Sequence, residues 1–568
     1  MSRTYQWLSL AVASALASSA WALNPGETVD NFRLLDHQGA AHELYYYSDT
    51  KAVVLMTQAN GCEVANKAIP RLDELRAAYE PRGVRVFMLN SNPGDDRASI
   101  RAVTDRVGTK IPVLEDRLQL IGESLAATRA GEVFVINPVG WKLAYRGPID
   151  QAASTLDALV SGAAVEPKKV EAAGCAVSMP ERERRKEHAK ISYSKTIAPI
   201  LIDKCVTCHR EGGIGPWQMS SYEMIKGFAP MIREVLRTRR MPPWHADPHY
   251  GVFSNDRSLS DDEVKTLVHW IEAGAPQDKA PDPLKSLKQD WPEWELGEPD
   301  LVVETPAFTV PATGTIDYQN PIVKNPLGKD VWVRAVAFNP GDRAVVHHIL
   351  AYGVKAGANN SRSLGTYLAG YAPGGGTIRF PEDTGVLLTK DMDFRFQMHY
   401  TASGKESTDV TKIGIYFTEE PPKHPLRQFV MLDPRLKIPP HAKDHYVVAP
   451  PRKFDRDVII YTLTAHSHYR GKASKFVAKY PDGREEILLS VPHYDFNWQT
   501  AYELKEPKFL PAGTTLIYDT VYDNSSQNKA NPDPTIEVRW GEQSWEEMIY
   551  GNVRYRYADE TTQVTQAR

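Results

Sequence analysis

The chain has 568 residues, 42% hydrophobic and 24% charged, with net charge −4 and a pI near 6.5. At roughly 100–200 residues per domain the length suggests three or four domains, and nothing in the balanced charge argues for a nucleic-acid partner. Four cysteines are too few for a disulfide scaffold, while 41 prolines and 26 tyrosines favour a loop-rich protein with much β structure.

Residues 1–22 read as an export signal. Arg3 gives a positive start, Leu8 to Ala17 is apolar, and Ala20-Trp21-Ala22 supplies a small-x-small cleavage pattern. The apolar run is short for a bilayer span of about 20 residues, and no later stretch is both long and apolar enough. The expected mature chain starts near Leu23, periplasmic or secreted, with no membrane span after cleavage.

Residues 25–165 alternate strand and helix patterns, which indicates an α/β sheet. "KAVVLMT" and "GVRVFMLN" read as strands, "ANKAIPRLDELRAAYE" as an amphipathic helix, and "EVFVINPVGWKLAYRG" as a hairpin turning at Asn137–Gly140. Cys62 opens the helix, where a helix N-terminus stabilises a thiolate. The segment resembles the thioredoxin-like redoxin family, with departures. Ala65 stands three residues after Cys62, so there is no C-x-x-C pair. Leu55 and Ala59 stand where peroxiredoxins have a proline and a threonine, and Ala130–Gly131 where a proline usually precedes the later strand. Two readings follow: a catalytic thiol at Cys62, or a degenerate docking domain with Cys62 tied to Cys175. The missing partner at Ala65 favours the second. The sequence alone does not choose between that bridge and two unpaired thiols.

Residues 166–190, including "ERERRKEHAK", read as a solvated linker. Residues 191–285 contain "CVTCH". C-x-x-C-H is the haem c attachment signature: Cys205 and Cys208 take the haem vinyl groups and His209 becomes an axial iron ligand. A helix pattern, "SYSKTIAPILIDK", leads into the motif, and the capped "LSDDEVKTLVHWIEAGAP" follows. The segment resembles a small all-α class I cytochrome c. "RRMPPWHADP" offers Met241 as the sixth ligand, with Met219, Met224, Met231 and His245 as rivals.

From residue 290 helical periodicity fades. Short β-rich runs ("KDVWVRAVAF", "DFRFQMHYT", "RDVIIYTLTAH", "TIEVRWG") lie between Pro/Gly/Asp turns, the pattern of two all-β, jelly-roll-like sandwiches, residues 290–418 and 419–558. Three histidine clusters stand out: His347 and His348, then His399, then His466 and His468. Met548 lies near the end. Imidazoles suit copper, zinc, iron or nickel, and a thioether selects Cu(I). His466 and His468 share a strand face at i, i+2; adjacent His347 and His348 can bind one metal only at a bulge or strand end, or through different ring nitrogens.

In this order the ligands resemble those of the copper type II monooxygenases, the family of peptidylglycine α-hydroxylating monooxygenase and dopamine β-monooxygenase. The resemblance implies two coppers per chain. His347, His348 and His399 would hold an electron-transfer copper, and His466, His468 and Met548 the oxygen-activating one. It departs from the eukaryotic members in having no cysteine in this half, and their substrate-binding residues cannot be placed. The implied activity is hydroxylation of a C–H bond in a small-molecule or peptide substrate with O2. Electrons would come from ascorbate or a periplasmic carrier through one covalent haem c. The alternative is a non-catalytic copper- and haem-binding carrier or storage protein.

Overall fold

The computed structural model describes residues 23–288, 292–357 and 365–562; the expected export signal, residues 1–22, lies outside them. Among the described residues no helix is long and apolar enough to cross a membrane. The chain divides into two compact units. One comprises residues up to Asp30 together with Thr50–Pro180; the other comprises Asn31–Asp49 and the chain from Glu181.

The first unit is built on β1 (Ala52–Gln58), buried at every position as a central strand must be. α1 (Glu63–Tyr79) follows with Cys62 at its N-cap and buries Ala65, Ile69 and Leu72, one helical face. β2 (Val84–Asn90) leads to α2 (Arg97–Val107), which a capping box of Asp96 and Ser99 starts. β3 (Val113–Glu115), the hairpin β4 (Val133–Asn137) and β5 (Lys142–Gly147), α3 (Ala153–Ser161) and β6 (Lys168–Lys169) complete it. The sheet order is β3-β2-β1-β4-β5-β6, with β2 parallel and β4 antiparallel to β1.

Residues 31–49 fall inside the segment read as redoxin but belong to the second unit. They form a hairpin, Arg33–Leu35 with Ala41–Glu43. Tyr46 Oη donates to Asp523 Oδ2 at 2.7 Å, and Ser48 Oγ to Gln527 Oε1 at 3.0 Å. Such long-range polar pairing leaves no trace in local sequence.

The helical part of the second unit carries α4 (Ala198–Lys204), α5 (Tyr222–Arg237) and α6 (Asp261–Glu272). A capping box of Ser260 and Glu263 starts α6, and Gly274 follows its end at φ +92°. Past α5 the chain runs as an added edge along the last sandwich: Phe253 and Trp244 enter that sandwich's core.

The first sandwich contains β7 (Leu301–Glu304), β8 (Val331–Asn339), β9 (Val346–Lys355), β10 (Thr366–Tyr371), β11 (Thr384–Leu388), β12 (Met392–Tyr400) and β13 (Lys412–Phe417). One sheet centres on β12-β9-β10 and the other on β11-β8-β13-β7. The second sandwich contains β14 (Arg427–Leu432), β15 (Val458–His466), β16 (Gly471–Lys479), β17 (Glu485–Val491), β18 (Ala501–Leu510), β19 (Thr515–Tyr522) and β20 (Tyr550–Tyr557). Its sheets run β14-β20-β15-β18 and β19-β16-β17. "TIEVRWG", read as a full strand, pairs at Val538–Arg539 and makes a single further bridge from Trp540 to Glu547.

Candidate functional site

β9 and β12 bring three histidines together. His348 is the cross-strand partner of His399, and the register shifts between Val346 and His348, so the ladder is irregular at His347. An irregularity there is what lets adjacent side chains turn to one side. His348 Nδ1 lies 3.4 Å from His347 Nδ1 and 3.3 Å from His399 Nδ1. Nitrogens about 2.0 Å from a shared ion stand at about this spacing. All three rings are buried, and burial holds them neutral: His347 is pulled down to about 4 against the opposing pull of Asp495, while neighbouring histidines add to burial in bringing His399 to about 3 and His348 well below its ordinary value. Nδ1 atoms this close either share a proton or turn lone pairs on one another, and a cation can replace either arrangement. His399 Nε2 meets Ser544 Oγ at 3.3 Å, which leaves Nδ1 as the ligand atom. His347 Nε2 is buried with no hydrogen-bond partner. The three residues fit a copper ion bound through Nδ1.

His466 ends β15 and His468 lies just beyond, with ring centroids 5.2 Å apart. His466 Nδ1 pairs with Gln499 Oε1 at 2.7 Å, and His468 Nδ1 with the Glu546 carbonyl at 3.3 Å. Donation from each Nδ1 leaves both Nε2 atoms for a metal. Burial pulls His466 down to about 4 and His468 well below its ordinary value. His466 pairs with Tyr550 across the β15–β20 ladder. Beyond the ends of these two strands stand His468 and Met548, whose backbone N–H groups share one acceptor, Glu547 Oε1.

The loop holding these ligands is fastened by Glu547. Its buried carboxylate accepts backbone N–H bonds from His468, from Arg470 (2.9 Å) and from Met548 (2.9 Å). Arg470, fully buried, donates to Asn524 Oδ1 and the Trp545 carbonyl, each at 2.8 Å. Sequence reading missed Glu547 and Arg470, although both abut the ligand motifs. It also missed Phe496, whose ring stacks on His347 at 4.9 Å and stands 5.9 Å from His468. His348 and His466 are 6.5 Å apart between ring centroids, so the two histidine groups form one cluster across the sandwiches.

In the helical segment Cys205 and Cys208 are unbridged and half-buried. Burial pushes the Cys205 thiol up to about 12 and raises Cys208. His209 Nδ1 lies 3.0 Å from the Trp217 carbonyl, so the ring donates there and keeps Nε2 for iron. Gly215 packs against this ring: a Cβ would fall 2.7 Å from His209 Nδ1 and 2.9 Å from the Cys208 carbonyl. These residues fit a covalently attached haem: Cys205 and Cys208 would hold it and His209 Nε2 would be free to bind its iron. Met241 stands half-buried just past α5. Of its rivals, Met219 hydrogen-bonds through its N–H to the His209 carbonyl (2.8 Å), Met224 sits in the first turn of α5, Met231 is 48% exposed, and His245 faces His493.

Glu181, His188 and His269 form another close group, with His188 Nε2 at 2.9 Å from Glu181 Oε2. Its two imidazoles are stacked at 4.1 Å with planes 6° apart. Lone pairs in parallel planes do not converge on one ion, so this is a hydrogen-bonded stack.

In the first unit Cys62 and Cys175 form a disulfide with Cα atoms 5.7 Å apart. The segment around Cys175 pairs with the loop before β4: Ala130 N–H donates to the Cys175 carbonyl (2.9 Å) and Val177 N–H to the Thr128 carbonyl (3.0 Å).

Residues 25–146 match the AhpC/TSA family. "DBH-like monooxygenase protein 2" of Mus musculus is 24% identical over 212 residues, covering 32% of this chain and 34% of that protein. This chain thus spans about a third of that relative's length. "Thiol-disulfide oxidoreductase ResA" of Geobacillus thermodenitrificans (strain NG80-2) is 25% identical over 119 residues, 21% of this chain and 67% of that protein. A solved structure, a hypothetical protein from Sinorhizobium meliloti 1021, aligns at TM-score 0.26 and 21% identity, covering 28% of this chain and 94% of that one. Residues 25–146 therefore carry a thioredoxin-like domain of the AhpC/TSA kind, and the chain is similar in sequence to oxidoreductases of two types.

Proposed function

We propose that this chain is an exported haem- and copper-dependent monooxygenase that hydroxylates a C–H bond with O2. The observation that carries the reading is the convergence of the His347, His348 and His399 Nδ1 atoms, 3.3–3.4 Å apart, beside the paired His466 and His468. The similarity to a DBH-like monooxygenase protein supports it. Bound copper would supply one-electron chemistry and O2 activation. The chain's own residues hold the donors ready. Burial keeps five imidazoles neutral; Gln499 and the Glu546 carbonyl orient His466 and His468; Glu547 fixes the loop that brings Met548 to them. Phe496 stacks on His347 and stands beside His468, an apolar ring between the two groups. Cys205, Cys208 and His209 would hold the haem that accepts electrons from ascorbate or a periplasmic carrier. The thioredoxin-like domain, closed by Cys62–Cys175, acts as a docking platform and takes no part in the chemistry.

The test is copper per haem-loaded chain, by elemental analysis, in wild type and in the His466→Ala/His468→Ala variant. Two coppers falling to one supports the reading. No copper, or no change in the variant, overturns it. Two coppers without substrate-coupled O2 uptake in a screen of C–H substrates would make the chain an electron carrier or copper store.

A further inference from the structure

We propose that Trp498 and Gln499 conduct the electron from the haem-attachment loop directly to the His466 site, without passage through His347, His348 and His399. The inference rests on the two-copper, one-haem reading above and adds the route and its residues.

Gly374 is where the route begins. A Cβ placed on it would sit 2.8 Å from Arg257 Nη1, 3.6 Å from Trp498 Cζ3 and 3.8 Å from Cys208 Sγ. The sulfur that would bond the haem and the indole edge therefore flank one bare glycine. Arg257 Nη1 donates to the Gly374 carbonyl at 3.3 Å and ties the helical segment to the same spot. From Trp498 the next residue is Gln499, and its Oε1 is 2.7 Å from His466 Nδ1. The path is thus thioether sulfur, indole, one peptide, a side-chain amide and a ligand imidazole, with a single through-space gap at Gly374.

The surroundings hold that gap fixed. Ser254 N–H donates to the Glu503 carbonyl (2.8 Å) and Lys505 N–H to the Val252 carbonyl (2.8 Å), so the chain after α5 runs beside β18. Asn255 Nδ2 donates to the Ala501 carbonyl at 2.7 Å and Asn255 Oδ1 accepts from Glu503 N–H at 3.1 Å. These bonds begin two residues past Gln499. Tunnelling rates fall steeply with distance across water and more gently through packed, bonded atoms, so a clamped aromatic contact is an efficient bridge.

The route divides at Gln499, whose Nε2 donates to the Phe496 carbonyl at 3.2 Å, while the Phe496 ring stacks on His347. The shorter branch ends on His466. In the step one electron leaves ferrous haem, which becomes ferric, and reduces Cu(II) held by His466 and His468 to Cu(I). No bond forms and no proton moves. The external donor then returns the haem to the ferrous state.

The experiment is anaerobic pulse radiolysis of the haem- and copper(II)-loaded full chain. It follows haem reoxidation by absorbance and loss of the Cu(II) signal by electron paramagnetic resonance. Trp498→Leu should slow reoxidation by about tenfold, roughly 1.4 kcal/mol of activation free energy, with haem and copper content unchanged. Trp498→Phe should restore most of the rate, which separates a conducting ring from a merely structural one. The His347→Ala/His348→Ala chain, with one copper left, should still reoxidise its haem. If that chain loses the transfer while Trp498→Leu keeps it, electrons enter at the first site and the proposal falls. A wild type lacking haem or copper fails before any pulse, and that result overturns the underlying reading.

Discussion

A carboxylate buried as deeply as that of Glu547 is costly unless its lone pairs are used. Burial, partly offset by the N–H groups of His468, Met548 and Arg470, pushes it up to about 7. Those three donors belong to the two segments that carry the second group of ligands, so one side chain sets their spacing. Glu547→Ala leaves three buried N–H groups unpaired, at about 1–3 kcal/mol each. We expect a lower melting temperature and loss of the copper bound by His466 and His468, while copper at His347, His348 and His399 is retained; Glu542→Ala, at an exposed position, should change neither. Differential scanning calorimetry and copper analysis after dialysis measure both effects. Equal copper retention in Glu547→Ala would reduce the residue to a core filler. In "WEEM" the methionine was legible as a soft ligand, but nothing in the spacing says which glutamate turns inward. That choice is made by the facing loop at 468–470.

Two local irregularities position ligands. Strand alternation by itself requires a break at His347–His348, and the ladder shifts register there. That these histidines would gather in one place was therefore legible from chemistry and period. Phe496, Gln499 and Ser544 were not, because each reaches its histidine from a distant loop: His399 and Ser544 are 145 residues apart. The second irregularity is the loop after "CVTCH", which folds back so that the Trp217 carbonyl meets His209. Gly215 allows that approach because a Cβ would collide with the His209 ring and the Cys208 carbonyl. Gly215→Ala must push the loop off the ring and release His209 Nδ1 from its acceptor. The expected result is less haem per chain, read as the pyridine haemochrome, with copper content unchanged. Haem content equal to wild type would show that the loop adapts without cost.

At the scale of the molecule, the C-terminal half has no cysteine, and its stability comes from packing two sandwich cores, one of which takes in Phe253 and Trp244 from the helical segment. Sequence order alone placed that segment as a tethered domain; backbone hydrogen bonds to Glu503, Lys505 and Ser490 make it part of the sandwich instead. The junction buries His245 against His493, ring centroids 5.8 Å apart. Burial pulls His245 down to about 4, opposed by Asp495 and reinforced by Arg33. His493 is lowered well below its ordinary value by burial, then by Arg33, His245 and Lys472. His245 is therefore neutral when folded down to about pH 4, and His493 stays neutral well below its ordinary value, whereas an unfolded histidine takes its proton near 6.5. Between those limits the unfolded chain binds more protons, so folding stability rises with pH and is lost on acidification from about 6.5 towards 4. For His245 alone the difference is on the order of 3 kcal/mol. Urea unfolding of the full chain, followed by tryptophan fluorescence, should show its midpoint falling over this interval. His245→Phe keeps the ring volume and removes the titration, so its midpoint should fall less steeply below pH 6.5. Should the two slopes coincide, acid sensitivity comes from other buried groups, and the junction between the helical segment and the last sandwich is held without regard to the charge on His245.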